Sequence, residues 1–329
     1  MTSIENRIFE VTKQDFTQQA LELFRYQYRN NGIYREYTDT LGVDPGKVRT
    51  LTRIPFLPIS FFKTHAVLSV PADILPETVF ESSGTTNTGG SRHYVKDPAL
   101  YRKSFTAGFE RSYGVITDWC IIGLLPAYLE RSNSSLVVMV DELIRRSGHP
   151  DSGFYLYEQE KLYETLKDLE QRGQKTLLIG VTFALLDFAE KYQLSLHHTL
   201  VMETGGMKGR RREMIRTELH AFLTERLGLP AIHAEYGMTE LLSQAYSPGH
   251  GLFQPVPWMK VLVREEDDPL TVKEEGGGIL NIIDLANIHS CSFLATDDTG
   301  TVHPNGLFEV SGRVDNSDIR GCSLLVASS

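Results

Sequence analysis

Three observations predict an α/β fold: a mostly parallel sheet with helices, followed by a β-rich portion. Between residues 98 and 227 short apolar runs alternate with stretches of helical period. Those runs stop at glycine or proline, as buried strands of a parallel sheet do. Beyond Gly251 strand-like runs succeed one another without a helix between them. The expected division is an α/β core over residues 1–250 and a β-rich subdomain over residues 251–329, and ligands of such a sheet bind at the carboxyl ends of its strands.

In chain order, Phe16, Ala20, Leu23 and Phe24 recur at helical spacing over residues 12–28, with Thr12 placed to cap the helix. Asn30-Asn31-Gly32 ends it and a mixed segment follows. Pro55 and Pro58 keep the run from Ile54 to Lys63 out of regular ladder or helix bonding, so it reads as an ordered apolar connector. Helices are expected at 98–113, 134–146, 158–171, 185–192 and 211–227, with strands at 119–125, 176–180 and 199–203. Later strands fall at 256–264 and 278–284 and around Phe293 and Phe308.

The 329 residues can bury a large core, and 41% hydrophobic with 23% charged residues is ordinary for a globular chain. No apolar run approaches the roughly 18 residues of a membrane span. Residues 1–13 lack the apolar centre of a signal peptide, so cytoplasm is the default expectation. A net charge of −9 gives no electrostatic reason to expect nucleic acid. The basic run Lys208-Gly209-Arg210-Arg211-Arg212 reads as a solvated helix face, with phosphate of a carrier or partner as its alternative. Cys120, Cys291 and Cys322 are too scattered for a disulfide framework or zinc, and His197-His198 lacks a third ligand in sequence.

Four stretches carry chemistry. In the first, residues 80–92, hydroxyls, glycines and a cation crowd one loop. Ser82, Ser83, Gly84, Thr85 and Thr86 can offer backbone and hydroxyl donors to phosphate, and Arg92 a planar fork. Gly84 and Gly89 have the spacing of a Walker loop, but Gly90 stands where its lysine belongs, which disfavours a P-loop NTPase. Second, Gly205-Gly206 follows a strand, where backbone can approach a flat ring or a carboxylate. Third, in Tyr236-Gly237-Met238-Thr239-Glu240 the ring can stack on a base, Thr239 can donate to phosphate, and Glu240 can hold Mg²⁺. Fourth, in Thr296-Asp297-Asp298 and Gly312-Arg313-Val314-Asp315 a carboxylate can accept ribose hydroxyls and Arg313 can pair with phosphate. Each alone also reads as a turn or a solvated charge.

In this order, spanning about residues 80–322, the set resembles the adenylate-forming superfamily of acyl-CoA synthetases and related ligases. Ser82-Ser83-Gly84-Thr85-Thr86 is similar to its phosphate loop, and Tyr236-Gly237-Met238-Thr239-Glu240 to its Tyr-Gly-x-Thr-Glu motif, the most specific of the matches. Asp298 falls at the ribose-binding Asp, with Asp297 in place of the usual Gly, so either carboxylate can reach the ribose. Gly312-Arg313-Val314-Asp315 resembles the hinge. Within the superfamily, Ile54-Pro55-Phe56-Leu57-Pro58, Phe62-Lys63, Phe80-Glu81-Ser82-Ser83-Gly84 and Asp318-Ile319-Arg320-Gly321-Cys322-Ser323-Leu324 resemble the LuxE family of acyl-protein synthetases, with phenylacetate-CoA ligases more distant.

The resemblance implies the large N-terminal domain of an adenylate-forming enzyme, lacking the small C-terminal domain that carries a catalytic lysine. It implies ATP and Mg²⁺, a fatty or other carboxylic acid activated as acyl-AMP, and transfer of the acyl group to a thiol. The thiol matching the LuxE pattern is Cys322, with Arg320 and Arg313 as the cations that can favour its thiolate. Implied partners are an acyl-CoA reductase, an acyltransferase or an acyl-carrier protein, and a homo-oligomer stays open. The alternatives are an acyl-CoA or acyl-carrier ligase working with a separate C-terminal domain, and a nucleotide-binding regulatory subunit without turnover.

Overall fold

Every residue of the strand Cys120–Leu124 is buried, and its alternate side chains enter two different cores. Ile121 shares one with Leu177, Ile179 and Met202, whereas Cys120, Ile122 and Leu124 share the other with Leu178 and Val201. This is the period-two alternation of a strand covered on both faces. The first core is closed by Pro98–Tyr113 and Ser135–Ser147, the second by Gln159–Gln171, Thr182–Lys191 and Arg216–Leu227. Arg216–Leu227 buries Leu219, Leu223 and Leu227, one per turn. At about 1.5–3 kcal/mol for each buried leucine, packing rather than propensity holds it.

The structure is a computed structural model that describes residues 2–5, 7–70, 75–82, 90–125, 133–205 and 215–314. Gly153–Phe154, Cys120–Leu124, Thr176–Val181, Thr199–Thr204 and His233–Tyr236 lie side by side and parallel. From His233–Tyr236 the sheet continues antiparallel through Ala245–Ser247, Leu252–Pro255, Phe308–Arg313, Phe293–Val302, Gly276–Asp284, Met259–Arg264 and Val272–Lys273. With Leu57–Pro58, which pairs parallel to Phe293–Val302, this is one mixed sheet of 13 strands among the described residues. The expected parallel sheet is thus one part of it. A separate hairpin, Thr78–Glu81 with Arg92–Val95, flanks the glycine-rich loop.

Pro98–Tyr113 has the predicted bounds, and its ends explain why. The Asp97 carboxylate accepts from Ala99 N at 2.8 Å, Pro98 opens the helix, and Gly114 leaves it at φ 89°. The first long helix starts later than expected, at Phe16. Thr12 does not cap it, because its N–H is turned to the Asp15 carboxylate at 2.7 Å within the preceding turn. The mixed segment after Gly32 contains a helix, Gly32–Thr40, in which Asn31 accepts from Tyr34 N at 3.0 Å. Around Pro55 and Pro58 the connector makes only the two-residue bridge of Leu57–Pro58 with Leu294 and Ala295, as the missing N–H groups dictate. Past the prolines it closes in the short helix Phe61–Thr64, against the expectation of no helix bonding there. No helix among the described residues is long and apolar enough to cross a membrane.

Candidate active site

The parallel strands end where the antiparallel part begins, and the predicted residues gather at that seam. Thr204 is in register with Glu235, so Gly205 and Tyr236 leave the sheet side by side. Gly205 has φ 73°, and its carbonyl accepts from the Thr182 hydroxyl at 2.7 Å. A Cβ at Gly237 would stand 2.4 Å from a Glu235 carboxylate oxygen, so a side chain there would have to displace that carboxylate.

Tyr236 is buried, with its ring edge-on to Phe253 and Phe308, centroids 5.9 and 5.4 Å away. Its hydroxyl donates to Asp298 at 2.8 Å. Asp298 is paired in register with Arg313, whose Nε lies 3.5 Å from the same carboxylate. Arg313 is 61% exposed and Asp298 16%, so the ion pair itself is worth little and leaves the guanidinium available. Burial raises the Asp298 pKa, against the pull of the Tyr236 hydrogen bond and Arg313. Burial, with the Asp298 charge, puts the Tyr236 phenol far above its ordinary value.

Glu240 lies in the turn after this strand, buried, and desolvation raises its pKa. The Ser91 hydroxyl and Arg313 oppose that shift and Asp298 adds to it, which brings Glu240, Ser91, Arg313 and Asp298 into one electrostatic neighbourhood. Ser91 comes from the hairpin: its N–H donates to the Ser82 hydroxyl at 2.8 Å, and Ser82 N donates to the Ser91 carbonyl at 3.0 Å. Gly90 is required beside them, since a Cβ would stand 2.3 Å from the Ser82 carbonyl oxygen. The hairpin thereby brings Ser82 and Ser91 to the seam.

Ser82, Gly205, Tyr236, Gly237, Thr239, Glu240, Asp298 and Arg313 are therefore placed at or beside one end of the sheet. Arg92 is exposed opposite Glu81 and makes no hydrogen bond or ion pair among the described residues. Ser83, Gly84, Thr85, Thr86, Gly206, the basic run 208–212, Asp315 and Cys322 lie outside the described residues. Asp297, next to Asp298 on an extended strand, acts on Arg264 instead.

Sequence reasoning missed the supports. The His93 imidazole contacts the Thr239 carbonyl at 2.8 Å from 146 residues away. Buried Asp284 accepts from Leu242 N at 2.8 Å, from Ser243 N at 3.0 Å and from the Ser243 hydroxyl, and so anchors the chain leaving the turn. Arg216 donates to Glu203 at 3.1 Å and to the Val310 carbonyl at 3.3 Å, tying the parallel strands to Phe308–Arg313. None of these pairings has a periodicity or spacing from which to find it.

No protein-family model matches the chain. Over 98% of its length it is 25% identical to the long-chain-fatty-acid–luciferin-component ligase of Vibrio harveyi, covering 92% of that protein. ATP-bound MatB from Rhodopseudomonas palustris superposes with a TM-score of 0.54 at 15% identity, over 75% of this chain and 49% of that one. The luciferase-like enzyme of the mealworm Zophobas morio gives 0.51 at 17%, over 75% and 60%. The chain thus spans about half the length of such solved structures. Its fold is that of the N-terminal domain of adenylate-forming enzymes, and the likeness to the Vibrio protein bears out the resemblance to LuxE-type synthetases.

Proposed function

We propose that this chain, LuxE-like in sequence and adenylate-forming in fold, is an ATP-dependent ligase that activates a carboxylic acid as its acyl-adenylate. A long-chain fatty acid is the first candidate, because that is the acid named for the Vibrio relative. The observation that carries the reading is the convergence of Tyr236, Asp298, Arg313 and Glu240 beside the hairpin that bears the Ser/Thr-rich loop.

In this reading Ser82, with Ser83, Gly84, Thr85, Thr86 and Arg92, cradles the phosphates. Asp298 accepts from the ribose, Tyr236 and Gly237 with Gly205 and Gly206 border the base, and Thr239 donates to a phosphate oxygen. Glu240 fits Mg²⁺ in chemistry: its carboxylate is a hard donor, and that ion commonly takes one or two carboxylates together with substrate phosphates. Among the described residues there is no group of three or more potential metal-ligating side chains, so a single carboxylate plus phosphates is the arrangement they support. The ion when bound supplies neutralisation of phosphate charge.

The substrate carboxylate attacks the α-phosphorus, the bond to the departing pyrophosphate breaks, and the mixed anhydride with AMP forms while Arg313 and the loop donors balance the developing charge. A thiolate then attacks the acyl carbonyl and AMP leaves. We assign that thiol to Cys322, for onward delivery to an acyl reductase, acyltransferase or carrier. Pyrophosphate exchange into ATP across a panel of carboxylic acids tests the reading. Exchange that depends on one acid class supports it, and ATP binding with no exchange for any acid replaces it with a regulatory nucleotide-binding subunit.

A further inference from the structure

Two successive carbonyls at the end of the Tyr236–Glu240 turn are each held by a side chain from a distant segment. His93 Nδ1 lies 2.8 Å from the Thr239 carbonyl oxygen, and Asn287 Nδ2 donates to the Glu240 carbonyl at 2.7 Å. A carbonyl only accepts, so Nδ1 of His93 carries the proton. His93 is fully buried, edge-on to Phe62 with centroids 5.5 Å apart, on the strand that directly follows Ser91, the neighbour of Glu240. Asn287 closes the short turn Leu285–Asn287 that follows Asp284. The two peptide planes are thus gripped from two separate segments, the hairpin and the Asp284 corner, whose side chains also interact with each other.

The grip is costly. His93 Nε2 and Asn287 Oδ1 are buried with no hydrogen-bond partner beyond the interaction of the two side chains with each other, so polar atoms are held away from water to make it. A leucine at position 93 would fill similar space against Phe62 without burying two ring nitrogens, so filling the core does not account for the imidazole. What it adds is one directed donor to the backbone of Thr239.

We infer that His93 is a positioning residue for the phosphate end of the site: it locks the Thr239–Glu240 backbone to the hairpin, so that the Thr239 hydroxyl and the Glu240 carboxylate keep a fixed bearing on bound nucleotide. Asn287, which also interacts with the imidazole, holds the next carbonyl of the same backbone. This rests on the ligase reading above, and it places coupling between hairpin and turn in a hydrogen bond rather than in apolar contact.

The test compares the full chain carrying His93→Asn, whose amide nitrogen can stand in for Nδ1, with His93→Leu, which keeps bulk and removes the donor. Asn287→Asp, nearly isosteric, turns a donor into an acceptor facing the Glu240 carbonyl and gives a second approach should His93→Leu fail to fold. Three quantities are read: melting temperature, calorimetric affinity for Mg·ATP, and the Mg²⁺ dependence of pyrophosphate exchange. His93→Leu and Asn287→Asp are expected to weaken Mg·ATP about tenfold or more and to raise the Mg²⁺ needed for half-maximal exchange, with His93→Asn within about threefold of wild type. Equal Mg·ATP affinity in wild type and His93→Leu would overturn the inference, as would His93→Asn failing as badly as His93→Leu at the same melting temperature. A wild type that binds Mg·ATP in the expected order of variants but exchanges nothing would sink the ligase reading and leave the positioning role standing.

Discussion

The Tyr236 hydroxyl donates to the Asp298 carboxylate across 2.8 Å, joining the last residue of a parallel strand to the middle of an antiparallel one. The bond orients a carboxylate that is largely buried yet keeps a side chain exposure of 16%, enough to meet a hydroxyl from a ligand. Asp297 acts on Arg264 and takes no part in this contact. Asp298→Ala should therefore raise the KM for ATP in pyrophosphate exchange by about tenfold or more, the scale of a lost hydrogen bond to a charged group. Asp297→Ala should stay within about twofold. A rise confined to the Asp297 variant would move the ribose contact by one residue.

Glu240 differs from a surface carboxylate in being buried beside Ser91, within the field of Arg313 and Asp298. Glu240→Gln preserves shape and removes the charge that would hold a divalent ion. Circular dichroism and melting should change little, whereas exchange at limiting Mg²⁺ should fall about tenfold to a hundredfold and recover in part at high Mg²⁺. Undiminished exchange at limiting Mg²⁺ would remove Glu240 from the site.

Glu235, one residue before Tyr236, carries a pH signature. Burial, with a smaller contribution from the Glu203 charge, raises its pKa to about 7 against the Thr204 hydrogen bond. Between the unfolded value near 4.5 and about 7 the folded protein keeps a proton that the unfolded chain has lost. Its contribution to stability is therefore full below that window and lost as pH rises through it, with a ceiling of about 3 kcal/mol. Glu235→Gln should flatten the urea midpoint between pH 5 and 8 and exceed wild type at pH 8. His93, which burial pushes down to about 4, acts in the opposite sense at lower pH and cancels in the comparison. Parallel wild-type and variant curves would mean that Glu235 ionises in the fold as it does in water.

The parts of this fold legible in sequence are those whose signal is local. Asp97, Pro98 and Gly114 bound a helix by their own chemistry, and the run at Cys120–Leu124 is apolar because both faces are covered. The five-residue motif at Tyr236 marks a candidate site for a similar reason: its glycine, hydroxyl and carboxylate are adjacent in the chain. What escaped is tertiary. The extent of antiparallel pairing depends on how Ala245–Ser247 and Leu252–Pro255 fold back on His233–Tyr236, which no period encodes. His93 and Asn287 look like any buried polar residues until the Thr239 and Glu240 carbonyls appear in front of them. Asn30-Asn31-Gly32 reads as a break, and it is one, but Asn31 serves at once as the cap of the next helix.

The acceptor thiol can be isolated chemically. Of the three cysteines, Cys120 and Cys291 are buried, and burial pushes their thiols up to about 11 and about 12, which leaves little thiolate at neutral pH. Neither is suited to attack an acyl-adenylate. Cys322 lies outside the described residues, and its assignment rests on the Arg320-Gly321-Cys322-Ser323 match in sequence. An acyl-adenylate is already activated, so the protein need only bring a thiolate within attack distance of the carbonyl. Incubation with ATP, Mg²⁺ and a radiolabelled acid that supports exchange should label the chain through a bond cleaved by neutral hydroxylamine. Cys322→Ser should abolish that thioester and leave pyrophosphate exchange largely intact, because adenylation precedes transfer, while Cys120→Ser and Cys291→Ser should label normally. A Cys322→Ser chain that still forms the thioester would assign the acyl group to another cysteine, and one that exchanges but never labels in any form, with coenzyme A or a carrier accepting the acyl group instead, would make the thiol external.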